Sequence, residues 1–218
     1  MQEMTQYELF HRLLEEMGET GWWPAESKVE IVVGAIMIQN TTAANAERAV
    51  INIGQATQFE SQAILDLPRE ELEVLVRPAG FYKNKSKAVH SVLHWFNEHD
   101  NDLRGIVRKY ESNLRQELLK LHGVGDETAD VLLLYIFDQP VFVADKYAQK
   151  LYTKLGIPGM DNYKAMRRLV SLDPQFTIWE AQEFHGLIDE FGKLYLRGKG
   201  RFEESFLAGY RLDASELE

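Results

Sequence analysis

Between Glu117 and Tyr147 the chain reads Glu117-Leu118-Leu119-Lys120-Leu121-His122-Gly123-Val124-Gly125-Asp126-Glu127-Thr128-Ala129-Asp130, then an apolar run, then Val143-Ala144-Asp145-Lys146-Tyr147. Leu118, Leu119 and Leu121 close a short amphipathic helix, and Gly123 and Gly125 allow backbone angles and close approaches that a side chain would block. From Thr128 a second helix begins, so the segment is predicted to be helix, hairpin, helix. Such a turn leaves main-chain N–H groups facing outward at the second helix's start, where the helix dipole favours an anion such as a phosphate. Taken alone, Gly-Val-Gly fits an ordinary αα-hairpin with glycine caps better.

The remaining patterning is helical too. Apolar residues recur at helical spacing over Tyr7 to Met17, Glu26 to Ile38 is almost continuously apolar, and Thr42 caps a helix to Ile53. Further helices are expected at Ser61 to Leu67, Arg69 to Val76, Lys85 to Asn97, Asp102 to Tyr110, Leu114 to Leu121, Glu127 to Phe137, Lys146 to Leu155, Asn162 to Ser171 and Thr177 to Leu196. The fold class is therefore all-α. A chain of 218 residues with 45% hydrophobic content can bury one large or two small cores. It has no cysteine, which excludes disulfides and thiolate metal sites, and its first residues lack a secretory pattern. No segment is apolar for long enough to cross a membrane. A cytoplasmic monomer without a membrane partner is expected.

A net charge of −10 opposes a polyanionic partner unless basic residues gather locally. Three basic clusters stand against the acidic remainder: Lys83, Lys85 and Lys87; Lys146, Lys150 and Lys154; and Lys193, Arg197, Lys199 and Arg201. If they line one face, they form a basic footprint on an acidic body; otherwise they are solvated helix faces.

The run Leu-x-Gly-Val-Gly-x-x-Thr-Ala over 121–129, followed by Asp145 opening a helix, resembles the helix-hairpin-helix DNA glycosylases of the endonuclease III superfamily. Met37-Ile38-Gln39-Asn40-Thr41 is similar to the family segment whose residue enters the duplex, and Gly80-Phe81-Tyr82-Lys83-Asn84-Lys85 to its G-x-Y-x-x-K element. Phe191-Gly192-Lys193 falls where the family's last helix ends. Trp22-Trp23-Pro24, Gly80-Phe81-Tyr82 and Asp145-Lys146-Tyr147 most resemble the bacterial 3-methyladenine DNA glycosylases of the endonuclease III type. The resemblance implies two helical domains, 26–138 and 1–25 plus 139–218, with the hairpin and Asp145 at the cleft between them.

Two departures bear on chemistry. Glu127 stands where strand-cleaving members carry a Schiff-base lysine, and a carboxylate cannot form an imine. The cysteines that hold the iron–sulfur cluster of many relatives are missing, the first falling near Leu196, so no cofactor of that kind is expected. Whether Lys199 or a neighbour substitutes for the cluster is left open by the sequence.

Breaking an N-glycosidic bond builds positive charge on the sugar, which a fixed carboxylate stabilises. The resemblance gives Asp145 that catalytic role; without the hairpin, Asp145 would read as a helix N-cap. An alkylated purine such as 3-methyladenine is cationic, and aromatic faces suit it. The base pocket is assigned to Trp22, Trp23, Pro24 and Glu127, while Phe81 and Tyr82 are expected to pack in the core. DNA contacts are assigned to Gln39, Gly123, Val124, Gly125, Glu127 and Lys146. Backbone carbonyls of Leu119, Leu121 and Val124 are expected, by resemblance, to hold a monovalent cation. His90 and His94 have the spacing of a metal pair but lack an evident third ligand.

The expectation is a monofunctional DNA glycosylase that excises alkylated purines from damaged double-stranded DNA. Two alternatives stay open: a non-catalytic helix-hairpin-helix DNA-binding protein, and a glycosylase for oxidised or mismatched bases.

Overall fold

The computed structural model describes residues 1–198 and 201–216. It is helical nearly throughout, as expected, and divides into two compact units: Ala25–Phe137, and Met1–Pro24 with Asp138–Glu218.

The continuous unit is built on two helices that are apolar on most faces, the pattern of an element buried all round. Helix α2 (Lys28–Met37) starts at Ser27, whose hydroxyl accepts from the Glu30 N–H, and buries Val32 to Met37. Helix α9 (Asp126–Tyr135) buries Thr128 to Tyr135 and packs on α2. Around them lie α3 (Ala43–Thr57), α4 (Ser61–Asp66), α5 (Arg69–Val76), α6 (Tyr82–Asn97), α7 (Leu103–Tyr110) and α8 (Leu114–Leu118).

The discontinuous unit pairs α1 (Gln6–Met17) with α12 (Ile178–Phe191), each opened by a capping box, Thr5 with Glu8 and Thr177 with Glu180. Phe10, Phe142, Phe176 and Phe184 form an aromatic cluster between them and the connecting segments. Helices α10 (Lys146–Lys154) and α11 (Tyr163–Leu169) complete it. Buried Gln6 ties α1 to α10, its amide donating to the Tyr152 hydroxyl at 2.9 Å and accepting from the Asp173 N–H at 2.7 Å.

Several boundaries differ from the sequence expectation, each for a local reason. Gly54, expected to lie beyond α3, is inside it: the helix runs on to Thr57, and glycine is needed at this position because the Phe59 ring fills the space a Cβ would take, at 2.7 Å. Helix α6 begins at Tyr82, not Lys85, since Phe81 adopts a left-handed conformation and its carbonyl accepts from the Asn84 and Lys85 N–H groups. The hairpin's first helix stops at Leu118 and its second starts at Asp126, so the turn begins earlier than the expected Leu121. The last helix ends at Phe191 and continues as a π-helical turn, Gly192–Leu196. A small element absent from the expectation is a parallel pair, β1 (Gln2–Met4) with β2 (Tyr210–Leu212), in register Gln2 to Tyr210. Three-residue strands are too short to show alternation in sequence.

Lys85 is 3% exposed, and its ammonium donates to the carbonyls of Met37 and Ala79, both at 2.8 Å. Burial lowers its pKa from the usual lysine value. It therefore leaves the surface cluster expected with Lys83 and Lys87 and acts as an internal brace. Lys85→Met keeps the stem but leaves two buried carbonyls unpaired, and should lower stability by about 2–4 kcal/mol in urea unfolding.

Candidate nucleic-acid and base-excision site

The hairpin is shaped by its glycines and by an arginine that the sequence patterning does not single out. Gly123 has φ +79°, and a Cβ there would collide with the Cβ of Ala88 on α6, so both backbone and packing require glycine. Gly125 is different. Its backbone is extended (φ −95°, ψ −174°), and a Cβ built on it meets no atom of the protein within 4 Å. Beneath the turn, Arg115 of α8 donates through Nε to Asp130 at 2.7 Å and through Nη2 to Asp130 and Asp126 at 3.1 and 3.0 Å. The hydrogen bond to Asp130 raises the Arg115 pKa against the effect of burial. Asp126 and Asp130 stand one helical turn apart facing α8, the signal that could have revealed this tie. The Leu121 carbonyl accepts from the Val124 N–H at 3.2 Å, which turns it into the hairpin and leaves one lone pair.

Three segments distant in sequence meet beside this hairpin. Gln39, from the loop after α2, donates to the Gly123 carbonyl at 3.1 Å and to the Thr128 hydroxyl at 2.9 Å. With Asn40, Phe81, His122 and Gly123 it lines a groove of about 270 Å³. Phe81 is 66% exposed, which overturns the expectation of core packing. Tyr82 is half-buried under the Arg77 guanidinium, 5.2 Å from its ring. Glu127 lies in the first turn of α9 and is exposed.

In the discontinuous unit, Asp145 caps α10, one oxygen accepting from the Ala148 N–H at 2.8 Å. Its other oxygen lies 3.4 Å from Nε2 of His185 on α12, and both side chains are mostly buried. Tyr147 lies against Gly192, where a Cβ would strike the phenol ring. Trp22 is seated the same way: its Cβ and the Thr20 hydroxyl occupy the space above Gly186. Buried Glu183 accepts from the N–H groups of Thr20 and Gly21 and fixes the approach to Trp22. The Trp22 indole N–H is buried without a partner, and the Lys193 ammonium sits 5.0 Å from its ring centroid. Trp23 is half-exposed, tilted 51° to Trp22, and Pro24 is exposed.

The family model for HhH-GPD superfamily base excision DNA repair proteins matches residues 33–173. The chain belongs to this superfamily. A protein of Methanocaldococcus jannaschii with the provisional name DNA repair glycosylase is 35% identical over 196 residues, covering 88% of this chain and 89% of that one. The H. pylori 3-methyladenine DNA glycosylase, solved with 1,N6-ethenoadenine, is 25% identical, covers 88% of this chain and 98% of its own, and superposes with TM-score 0.68. A trapped endonuclease III–DNA covalent intermediate shares the fold at TM-score 0.69 and 18% identity, covering 94% of both chains.

Elsewhere in this superfamily member, Lys146 is exposed and lines, with Gln149, Lys150 and Tyr195, a groove of about 530 Å³. Lys154 pairs with Glu203, Lys193 with Asp189 and Glu190, and Arg201 with Glu204, so part of the second and third basic clusters is neutralised by neighbours. Lys199 lies outside the described residues. His90 and His94 stack on each other, and no group of three metal-binding side chains occurs among the described residues. Replacing Gly186 with Ala should displace Trp22: tryptophan fluorescence is expected to shift and the melting temperature to fall by several degrees, as for overpacking that costs about 1–3 kcal/mol.

Proposed function

We propose that this chain is a monofunctional DNA glycosylase that removes alkylated purines of the 3-methyladenine type from damaged double-stranded DNA. The reading rests above all on Asp145, a mostly buried carboxylate anchored at a helix start through one oxygen. As the C1′–N bond breaks, its electron pair stays with the base, so a cationic purine leaves neutral and needs no proton. The positive charge that develops on the sugar is stabilised by the carboxylate. A water molecule then forms the C1′–O bond and gives its proton to Asp145 and on to solvent.

DNA is held, in this reading, by the hairpin. Gly125 is not required by its own backbone or by neighbouring atoms, which leaves an external group, a phosphate at the N–H groups of Gly123, Gly125 and Glu127, as the reason for its small size. Carbonyls of Leu119, Leu121 and Val124 would hold a monovalent cation there and lend positive charge. Gln39 fills the gap left by the extruded nucleotide, and exposed Phe81 stacks on a neighbouring base. Absence of an imine-forming lysine at Glu127 supports base release without strand cleavage.

One observation favours a second reading. The Lys193 ammonium lies over Trp22, where it would oppose a cationic base and leave Trp23 as the stacking surface; a neutral oxidised or mismatched base suits that arrangement better. Chromatography of bases released from methylated, oxidised and mismatched duplexes separates the two. The expected result is free 3-methyladenine, an intact abasic strand and no borohydride-trapped complex. Asp145→Asn should slow release by about a hundredfold or more while duplex binding persists. Full activity of that variant would remove Asp145 from the reaction.

Gly125→Asp should leave the melting temperature unchanged and weaken binding to every duplex alike. Unaltered affinity in low salt would exclude the hairpin contact.

A further inference from the structure

One face of α12 and its continuation carries His185, Asp189 and Lys193, spaced four residues apart. The Asp145 carboxylate faces His185 at 3.4 Å, and the Lys193 ammonium holds Asp189 at 2.6 Å. Burial raises the Asp189 pKa, opposed by Lys193, and the charges of Asp145 and His185 both reach it. The imidazole thus shares its mostly buried surroundings with two carboxylates that repel each other.

The α10 N-terminus uses only one oxygen of Asp145, in the cap to Ala148. A carboxylate bound through one oxygen still turns about its Cβ–Cγ bond, and an electrostatic stabiliser works best when it need not reorganise. The second oxygen is the one that His185 meets. His185 cannot drift away from it, because α12 is anchored on both sides of this residue by buried Phe184, Leu187 and Ile188. The α10 N-terminus is in turn pressed on the end of α12 through Tyr147 and Gly192. A separation of 3.4 Å is loose for a finished hydrogen bond, and such contacts often tighten only in the substrate complex.

We propose that His185 is the positioning residue for Asp145: its Nε2–H holds the carboxylate oxygen left free by the helix cap and keeps Asp145 aimed during base excision. The proposal rests on the catalytic reading of Asp145, and its test keeps the two apart.

Four variants are compared with the wild type on the duplex substrate that the wild type turns over: Asp145→Asn, His185→Leu, His185→Gln and the double variant Asp145→Asn/His185→Leu. His185→Leu should fold with a melting temperature near that of the wild type, keep KM and lose at least about tenfold in kcat. His185→Gln offers an N–H at a similar reach and should recover most of that loss. In the Asp145→Asn background His185→Leu should cost nothing more, because the group it positions is already gone. Unchanged kcat for His185→Leu, or losses that multiply in the double variant, would overturn the inference while leaving the role of Asp145 intact. Full activity of Asp145→Asn would instead overturn the catalytic reading. A measurement independent of turnover decides the contact itself: the imidazole ¹⁵N spectrum should show the His185 Nε2 protonated and shifted by Asp145→Asn, and an unmoved resonance would refute it.

Discussion

An ammonium ion taken out of water must find oxygen, and in the continuous unit that requirement organises the side that carries the hairpin, Gln39 and Phe81. Lys85 reaches back to Met37, where α2 ends, and to Ala79, where the turn before α6 closes. Those two carbonyls begin the segments that carry Gln39 and Phe81. The charge is met there by main-chain dipoles, which would be left buried and unpaired if either loop moved away. Gln39 then spans to Gly123 and Thr128, joining the same brace to the hairpin. Arg115 secures the hairpin from beneath through Asp126 and Asp130. A basic residue that looks like part of a surface cluster therefore acts inside the unit, by fixing uncharged main-chain groups.

The discontinuous unit solves a similar problem with one helix. Within a few residues α12 supplies Glu183 to the Thr20–Gly21 backbone, His185 to Asp145, and the bare surface of Gly186 to Trp22. Just past its end, Gly192 receives Tyr147 and Lys193 covers the Trp22 ring. Segments distant in sequence are thus referenced to a single helix.

Much of this is readable in the residues. Helical periodicity and caps point to the all-α architecture, because burial of one stripe per helix leaves a local trace. The hairpin's glycines and the Asp145 cap are equally local. Partnerships between distant positions leave no such trace. Nothing near Lys85 shows that its charge is buried, and nothing near Phe81 shows that a left-handed backbone turns its ring outward. Arg115 takes its meaning from carboxylates on the next helix, and Glu183 and His185 from groups tens of residues away. Gly54 misleads in the opposite direction: a residue that usually ends helices sits inside one, its missing side chain making room for an aromatic ring.

The short parallel pairing of β1 with β2 has a consequence for how this molecule is made. Residues 25–137 are one uninterrupted stretch, so their core can close while the ribosome is still adding the later residues. The other unit cannot. Its first helix buries Leu9, Phe10 and Leu13 against partners that emerge far later, and Met4 waits for Leu212, close to the last residues described. Throughout synthesis of the intervening chain, that apolar stripe and Trp22 remain without their seats on α12. The apolar stripe of α1 therefore stays open to misassociation until the residues of α12 and β2 have been made and can cover it.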